Sequence, residues 1–573
     1  MKAGDEEELT RSAEARRGEK RELTATSIVL GVLLAIVFGA ANAYLGLRVG
    51  LTVSASIPAA VVSMGVMRFL LKRDSMLENN MVQTIGSAGE SLAAGAIFTM
   101  PALYLWADEG LCAPPGFWPL TAIALAGGAL GALFMIPLRR PLIVDEDKTL
   151  VYPEGRACAE VIKAGEKGAK HASTVFIGFG LSILVKLVTD FFKWIPAAVS
   201  LPVRLIRGEM GLEFSPALLG VGFIVGPKIA TLLFAGSFLG WMVLIPLFCV
   251  FSDASAAAYA DGGAVAVWKD AIRFVGAGAI ATGGFWSLVK SVPLFVRTFR
   301  DSLKGAGKGS DGGDISMKKV IVATICVIVI IAALPIVPVG IGGALLVALF
   351  GFFFAAVSAR MVGFVGSSNN PVSGMAIATL VVSALVLKTC GTVGAAGMVT
   401  AIAIGSFVCI IAAMAGDTAQ DLKTGYLLGA TPWKQQIGEF IGVAGAGLAI
   451  AGVLLLLHRA WGFGGNEIPA PQATLMKVIV EGIMGGTLPW GLLGIGVGIA
   501  LVLIVCRVPV MPFAIGLYLP IRMNATILAG GLLRVLLDRR FAARSDGGVL
   551  LSAGLIAGEG ICGILLAILT LVL

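Results

Sequence analysis

Apolar residues dominate this chain in runs, and polar residues gather in short stretches between them. A helix needs about 20 consecutive apolar residues to cross a bilayer. Ser27 to Leu47, Ala172 to Phe192 and Leu550 to Leu573 each meet that length. Read run by run, the pattern predicts about sixteen helices. They fall near 26–46, 50–71, 80–105, 117–138, 172–193, 215–232, 233–252, 264–290, 318–336, 340–360, 370–388, 393–416, 433–458, 488–506, 510–536 and 549–572. Residues 473–486 read as a re-entrant segment. The fold class is therefore an all-α polytopic membrane protein.

Composition agrees. Of 573 residues, 57% are hydrophobic and only 14% are charged. Soluble domains carry about 25% charged residues, so a soluble multidomain chain would lack the polar surface to cover its cores. Residues 1–24 mix acids and bases, and the first apolar run lacks a small-residue cleavage site. They read as a solvated cytoplasmic tail. The eight cysteines form no Cys-x-x-Cys pair and sit mostly in apolar runs, as small buried hydrophobes do. No cofactor is implied. The net charge of +8 reads as cytoplasmic loop charge rather than a nucleic-acid surface, because Lys and Arg collect on the inner face.

Lys and Arg number six in the tail, seven in 139–171 and seven in 290–319. Residues 106–116 have none. With sixteen spans, both termini are expected on the cytoplasmic side of the cytoplasmic membrane. Arg539, Arg540 and Arg544 break the rule, falling on the outer side of that count.

Two internal echoes suggest a duplication. Asn79-Asn80 matches Asn369-Asn370. Pro216 with Gly220 matches Pro512 with Gly516, each followed by a cation, Lys228 or Arg522, and then Ala-Thr. Eight spans per half predicts two parallel eight-helix repeats, 25–290 and 318–573, related by an axis along the membrane normal. The Gly-rich stretch 291–317 reads as a cytoplasmic linker. It lacks the Gly-x-x-x-x-Gly-Lys-Ser/Thr spacing of a phosphate loop, so any transport is expected to draw on gradients.

Ionisable groups inside spans are costly and mark functional candidates. Glu90, Lys228, Arg360, Glu439, Glu481, Arg522 and Glu559 all fall in apolar runs. Helix-end snorkelling is the alternative for each. Pro371 follows Asn369-Asn370 and should open a helix, since proline lacks an N–H and restricts the residue before it. Bare backbone at that depth is tolerated only against protein or a watery cavity. Asn369, Asn370 and Ser373 would line it, with Asn79, Asn80, Gln83 and Glu90 opposite; capping of helix entrances is the alternative. The most polar stretch, Gly416–Gly442, reads as a capped cytoplasmic connection. Asp417, Gln420, Asp421, Lys423 and Tyr426 lie in it, before Thr431 and Pro432 start the next helix.

That stretch, "DTAQDLKTGYLLGATPWKQQIGEFIG", resembles the signature of the oligopeptide transporter family. So do "ENNMVQTIGSAGES" from Glu78, "YPEGRACAEVI" from Tyr152 and "NNPVSGM" from Asn369. The four motifs span most of the chain in order. The resemblance implies a proton-coupled importer of about sixteen helices. The Ser-Pro-Tyr-x-Glu-Val-Arg motif of the eukaryotic peptide carriers is missing. Glu78-Asn79-Asn80 and Tyr152-Pro153-x-Gly155 look more like the prokaryotic and yellow-stripe-like branch, which is associated with metal chelates as well as peptides. On this reading, Asn80, Gln83, Asn370 and Ser373 contact a peptide or chelate near the midplane. Lys228 or Arg522 meets its carboxylate, and Glu90, Glu439 or Glu559 carries the coupling proton. Asp417, Gln420, Asp421, Lys423 and Tyr426 form a signature or gating loop. Protons, lipid and a second copy of the chain are the other expected partners. A channel or an intramembrane enzyme are the remote alternatives. The two histidines, His171 and His458, lie near span ends, and no His-Glu-x-x-His occurs.

Overall fold

A computed structural model describes residues 22–572 except 51, 53, 73–74, 149, 166–169, 204, 284, 287–288, 290–292, 294–312, 486–488 and 541–544. Residues 1–21 of the expected tail and most of the expected linker lie outside the described residues. Among those described, eight helices are long and apolar enough to cross a membrane. A two-stranded antiparallel hairpin, β1 (Ala198–Val203) and β2 (Gly208–Glu213), is the one departure from helix, with Ala198 opposite Glu213.

The site is built by two triplets of helices. The first is α1 (Ala25–Val49), α2 (Ser56–Gly65) and α3 (Met76–Ile97). Glycine lets α1 and α3 touch backbone to backbone. A Cβ at Gly89 would lie 2.2 Å from the Ala35 carbonyl oxygen, and one at Gly31 would meet Ile85 at 2.6 Å. Contacts that advance together make the two helices parallel. α1 stops at Gly50, whose φ of 75° is a left-handed cap that a side chain would strain. Thr52 and Ser54 are not helical, and Ala55 is the N-cap of α2. The expected span 50–71 is thus broken before a shorter helix.

After α4 (Phe117–Met135) and α5 (Pro153–Gly165), the second triplet repeats this build. α6 (Lys170–Lys186) and α7 (Pro216–Phe238) intervene. α8 (Gly340–Val365) ends on Gly366, φ 85°. A short turn, Ser367–Asn369, leads to Pro371, the N-cap of α9 (Val372–Thr389). α10 (Gly394–Leu428) returns parallel to α8, with Gly343 against Ile404 and Gly351 against Ile411. Pro371 therefore opens the chain as its missing donor predicts.

The triplets run in opposite senses. Gly95 of α3 packs on Ile410 of α10, while Gln83 and Ser87 reach Asp421. Residue numbers rise on one helix as they fall on the other. Parallel repeats about the membrane normal do not give that geometry, so the expected relation is corrected. The Asn-Asn match is also displaced. Asn79-Asn80 sits inside α3, whereas Asn369-Asn370 lies in the break. The local counterpart of the break is Gly50–Ala55. The second echo packs against itself: Gly222 meets Ile527 and Gly236 meets Phe513. Both stretches are interrupted, at Gly226 within α7 and at Leu519–Pro520 between α13 (Val510–Tyr518) and α14 (Ile521–Arg540).

α11 (Pro432–Trp461) crosses α3 and α4, and α12 (Pro471–Met484) lays Pro471 on Gly50. The expected division between 215–232 and 233–252 is displaced: the run Pro216–Phe251 is interrupted at Gly226 rather than near residue 232. The last helix, α15 (Ser545–Val572), is parallel to α1, with Gly560 on Ala41 and Gly563 on Tyr44. Parallel spans start on the same face. α15 therefore begins on the face where α1 begins, with Arg539 and Arg540 shortly before it in the chain. Glu22, Arg139, Asp314 and Thr431 mark that face together. Arg139 Nε lies 2.5 Å from Asp314, and the Thr431 N–H donates to Glu22 at 3.0 Å.

Candidate functional site

The two breaks meet. The Ser54 N–H donates to Ser368 Oγ at 3.3 Å. Around them lies a cavity of about 200 Å³. Its polar wall is Thr52 and Ser54 from the first break, Ser367, Ser368, Asn370 and Ser373 from the second, Glu90 and Ser91 of α3, and Gln472 of α12. Its apolar wall includes Phe98, Ile229, Leu233, Met511 and Ile515. Glu90 is its one ionisable lining residue among those described. Glu90 is 4% exposed. Its Oε1 accepts from Asn42 Nδ2 at 3.0 Å, and its Oε2 accepts from the Ala55 N–H at 3.3 Å. The carboxylate thus caps the N-terminus of α2, where the helix dipole favours negative charge.

Three of the sequence motifs converge on this point. Gly155 packs so close to α10 that a Cβ would lie 2.8 Å from the Gln420 carbonyl. That approach brings Glu154 to the second break, where it accepts from the Ser367 and Ser368 N–H groups at 3.1 and 3.3 Å. Gln420 ties both breaks together. Its Nε2 donates to Ser56 Oγ at 3.0 Å, and its Oε1 accepts from the Ser367 N–H at 3.2 Å.

The expected signature loop is no loop. α10 continues through it, and Asp417, Gln420, Asp421 and Lys423 are fully buried. The chain turns only at Gly429, a left-handed cap. Polar side chains here face partners on α3, α5 and α11 rather than water. Asp421 accepts from Gln83 Nε2 at 2.6 Å and from Ser87 Oγ. Gln435 of α11 donates to the Asp421 carbonyl at 2.7 Å. Lys423 donates to Ile143 O at 3.1 Å and pairs with Asp147. Tyr426, 41% exposed, lies under the Lys423 ammonium, 5.4 Å from its ring centre.

Asp417 is one turn above Asp421, with Ser87, Ser91 and Ser367 as its nearest polar neighbours, and neither of its oxygens makes a hydrogen bond of ordinary geometry. Glu439 of α11 is likewise fully buried and without such a bond. Glu90, Glu154, Asp417, Asp421 and Glu439 form one acidic group in this interior, close enough for their charges to interact. No group of three His, Cys, Asp or Glu able to hold a metal ion occurs among the described residues.

Other expected site residues sit elsewhere. Asn79, Asn80 and Gln83 are buried on α3, away from the cavity. Asn79 accepts from Ser63 at 2.7 Å, and both Asn80 amide atoms lack a partner. Asn369 is in the turn, but its side chain lies outside the described residues. Asn370 lines the cavity, donating to Ser358 Oγ at 2.7 Å and leaving Oδ1 unpaired. Ser373 lines it too. Lys228 is exposed beyond the α7 interruption, and Arg522 faces Glu213 and Glu467 at 3.5 and 3.9 Å. Neither lines the cavity. Glu559 accepts from Ser215 Oγ at 2.7 Å and the Ala217 N–H at 2.8 Å, with Arg48 at 3.4 Å. It is bound into an ion-pair network with Lys186 and Glu213. Asn42, Glu154 and Gln472 are contributors the sequence reading missed. The glutamate of Tyr-Pro-Glu-Gly was the one signal available.

Apolar helices that enclose a polar cavity, at the meeting point of interrupted segments, define a membrane transport protein. Comparison with known proteins gives the family. The family described as OPT oligopeptide transporter protein matches residues 22–570. The chain is 37% identical to a Haemophilus influenzae protein described as an oligopeptide transporter, over 91% of this chain and 92% of that one. It is 23% identical to a rice protein described as a metal-nicotianamine transporter, YSL13, over 95% and 85% of the two chains. A rice iron-phytosiderophore transporter, YSL15, is 24% identical over 86% and 82%. The chain belongs to the OPT family. It is an integral membrane transporter and not an enzyme.

Proposed function

We propose that this protein is a secondary carrier that uses a proton gradient to import small peptides or peptide-like solutes across the cytoplasmic membrane. The observation that carries the reading is the cavity where two helix breaks of opposite sense meet. Backbone and hydroxyl groups there supply donors and acceptors without net charge, which suits a solute that must bind and leave. Two inverted repeats packed about the cavity would let it open to either face in turn.

Asp417, Asp421 and Glu439, with Glu90 at the cavity edge, are the proposed proton carriers. Like charges in a dry interior repel and lack hydration, so binding and passing a proton is the natural chemistry of such a group. Glu559 is set aside because its charge is already matched. Gln420 and Glu154 are proposed as the gating contacts, since they hold the two breaks in register.

Import of metal chelates is the second reading, favoured by the names of the rice relatives. The cavity offers one carboxylate, neutral polar groups and the Met511 thioether. It would have to grip such a chelate by its organic shell. A competition screen in proteoliposomes tests the choice, using di- to hexapeptides and metal chelates against a labelled dipeptide. Di- and tripeptides should compete best, because about 200 Å³ is smaller than the roughly 300–1,000 Å³ of drug-sized sites. Competition by chelates alone would replace the peptide reading with the second.

Two further outcomes are expected. Asn370→Leu removes a polar cavity contact but should fold, so uptake should fall at low substrate and recover at high substrate. The loss in affinity should be about 1–3 kcal/mol. Unchanged half-saturation would show that Asn370 does not touch substrate. For orientation, the N-terminal tail and a cysteine at Gly309 should label from the cytoplasmic side. A tag after Leu573 should label from outside. A C-terminal tag that labels from the cytoplasm would refute the parallel placement of α1 and α15 across the membrane.

A further inference from the structure

The cavity is lopsided in charge. Among the described residues its lining holds one carboxylate, Glu90, and no lysine, arginine or histidine. The two cations expected to meet a substrate carboxylate are elsewhere, Lys228 on the surface and Arg522 among acids. Glu90 is held rigidly, one oxygen by Asn42 and the other by the Ala55 N–H. A carboxylate oxygen has two lone pairs, so each keeps one acceptor site free for a third group.

Resting on the peptide reading above, we propose that Glu90 anchors a protonated amine of the substrate, so that the carrier selects small solutes with a free amino group. The amine would complete the hydrogen bonding of Glu90 and cancel the one charge in the wall. Ser54, Ser368, Asn370 and Gln472 then face the amide portion, and Phe98 and Leu233 face its side chains. A polycarboxylate would bring like charge against Glu90 with no cation to offset it. The same geometry therefore ranks amine-bearing neutral peptides above anionic chelates.

The test is binding to purified full-length protein, read by thermal shift and by competition against a labelled dipeptide. The probes are a dipeptide and its N-acetyl derivative. Wild-type protein should bind the free-amine form more tightly by about tenfold or more, the factor carried by a hydrogen bond to a charged group. In Glu90→Gln the side chain keeps its size, and its one amide oxygen can accept from the Ala55 N–H while its NH2 group faces Asn42. Its preference for the free amine should collapse to within about twofold, well inside the scatter of such contacts, while the N-acetyl form binds as before. Wild-type protein that binds both probes equally, or a Glu90→Gln variant that keeps the full preference, overturns the amine anchor alone. Wild-type protein that binds neither overturns the peptide reading beneath it.

Discussion

Asp417→Asn should stop proton-driven accumulation while leaving exchange of labelled for unlabelled substrate intact. Asp417 is fully buried in α10, and neither carboxylate oxygen finds an ordinary hydrogen bond. Its neighbours Asp421, Glu439 and Glu90 are also acids. An unmatched charge at this depth costs several kcal/mol, so a carboxyl is a poor choice there for stability alone. The amide has the same shape and cannot give up a proton. Each coupled proton allows about tenfold accumulation per pH unit of gradient, since a tenfold ratio corresponds to about 1.4 kcal/mol. The variant should lose that factor. Exchange needs only the cavity, which Asp417 does not line. A variant that still accumulates substrate would remove Asp417 from the pathway. A variant that loses exchange as well would make it a structural residue.

Gly89→Leu should abolish the folded protein. The added Cβ would lie 2.2 Å from the Ala35 carbonyl oxygen and 2.6 Å from its Cα. These are backbone atoms and cannot rotate away, so α1 and α3 must separate. Overpacking in a close-packed interior commonly costs about 1–3 kcal/mol, and a clash with backbone along a helix crossing lies at or above that range. Glu90 is the next residue and would move with the crossing. Gly494→Leu is the control, because nothing lies within 4 Å of its Cβ. Size-exclusion profiles in detergent should show aggregate or no protein for Gly89→Leu and a normal peak for Gly494→Leu. A normal peak for both would contradict the α1–α3 packing.

Hydropathy alone foretold the class of fold, and the break at Pro371 followed from proline chemistry. The first break, Gly50–Ala55, was hidden because Leu51 and Val53 keep the run apolar. Nothing in period or composition separates an extended apolar stretch from a helix. The polar run after Gly416 misled in the opposite direction. Asp417, Gln420 and Asp421 are polar because Ser56, Gln83 and Ser87 face them, and partners on other helices are invisible along one sequence. The sense of the repeat depended on counting spans, and the interruption of Pro216–Phe251 at Gly226 lies away from the boundary that the count assumed. Glu90 was legible as a costly charge in a span. Its place beside a cavity followed from the segment that begins at Glu78, but its partners Asn42 and Ala55 were announced by no motif.

The claim that this is a gradient-driven carrier is tested most directly by dipeptide uptake into proteoliposomes with an imposed proton gradient. Uptake should saturate with concentration, pass above the external level, and fall back to it when a protonophore collapses the gradient. Uptake that rises in proportion to concentration and ignores the protonophore would contradict the account and describe a passive pore.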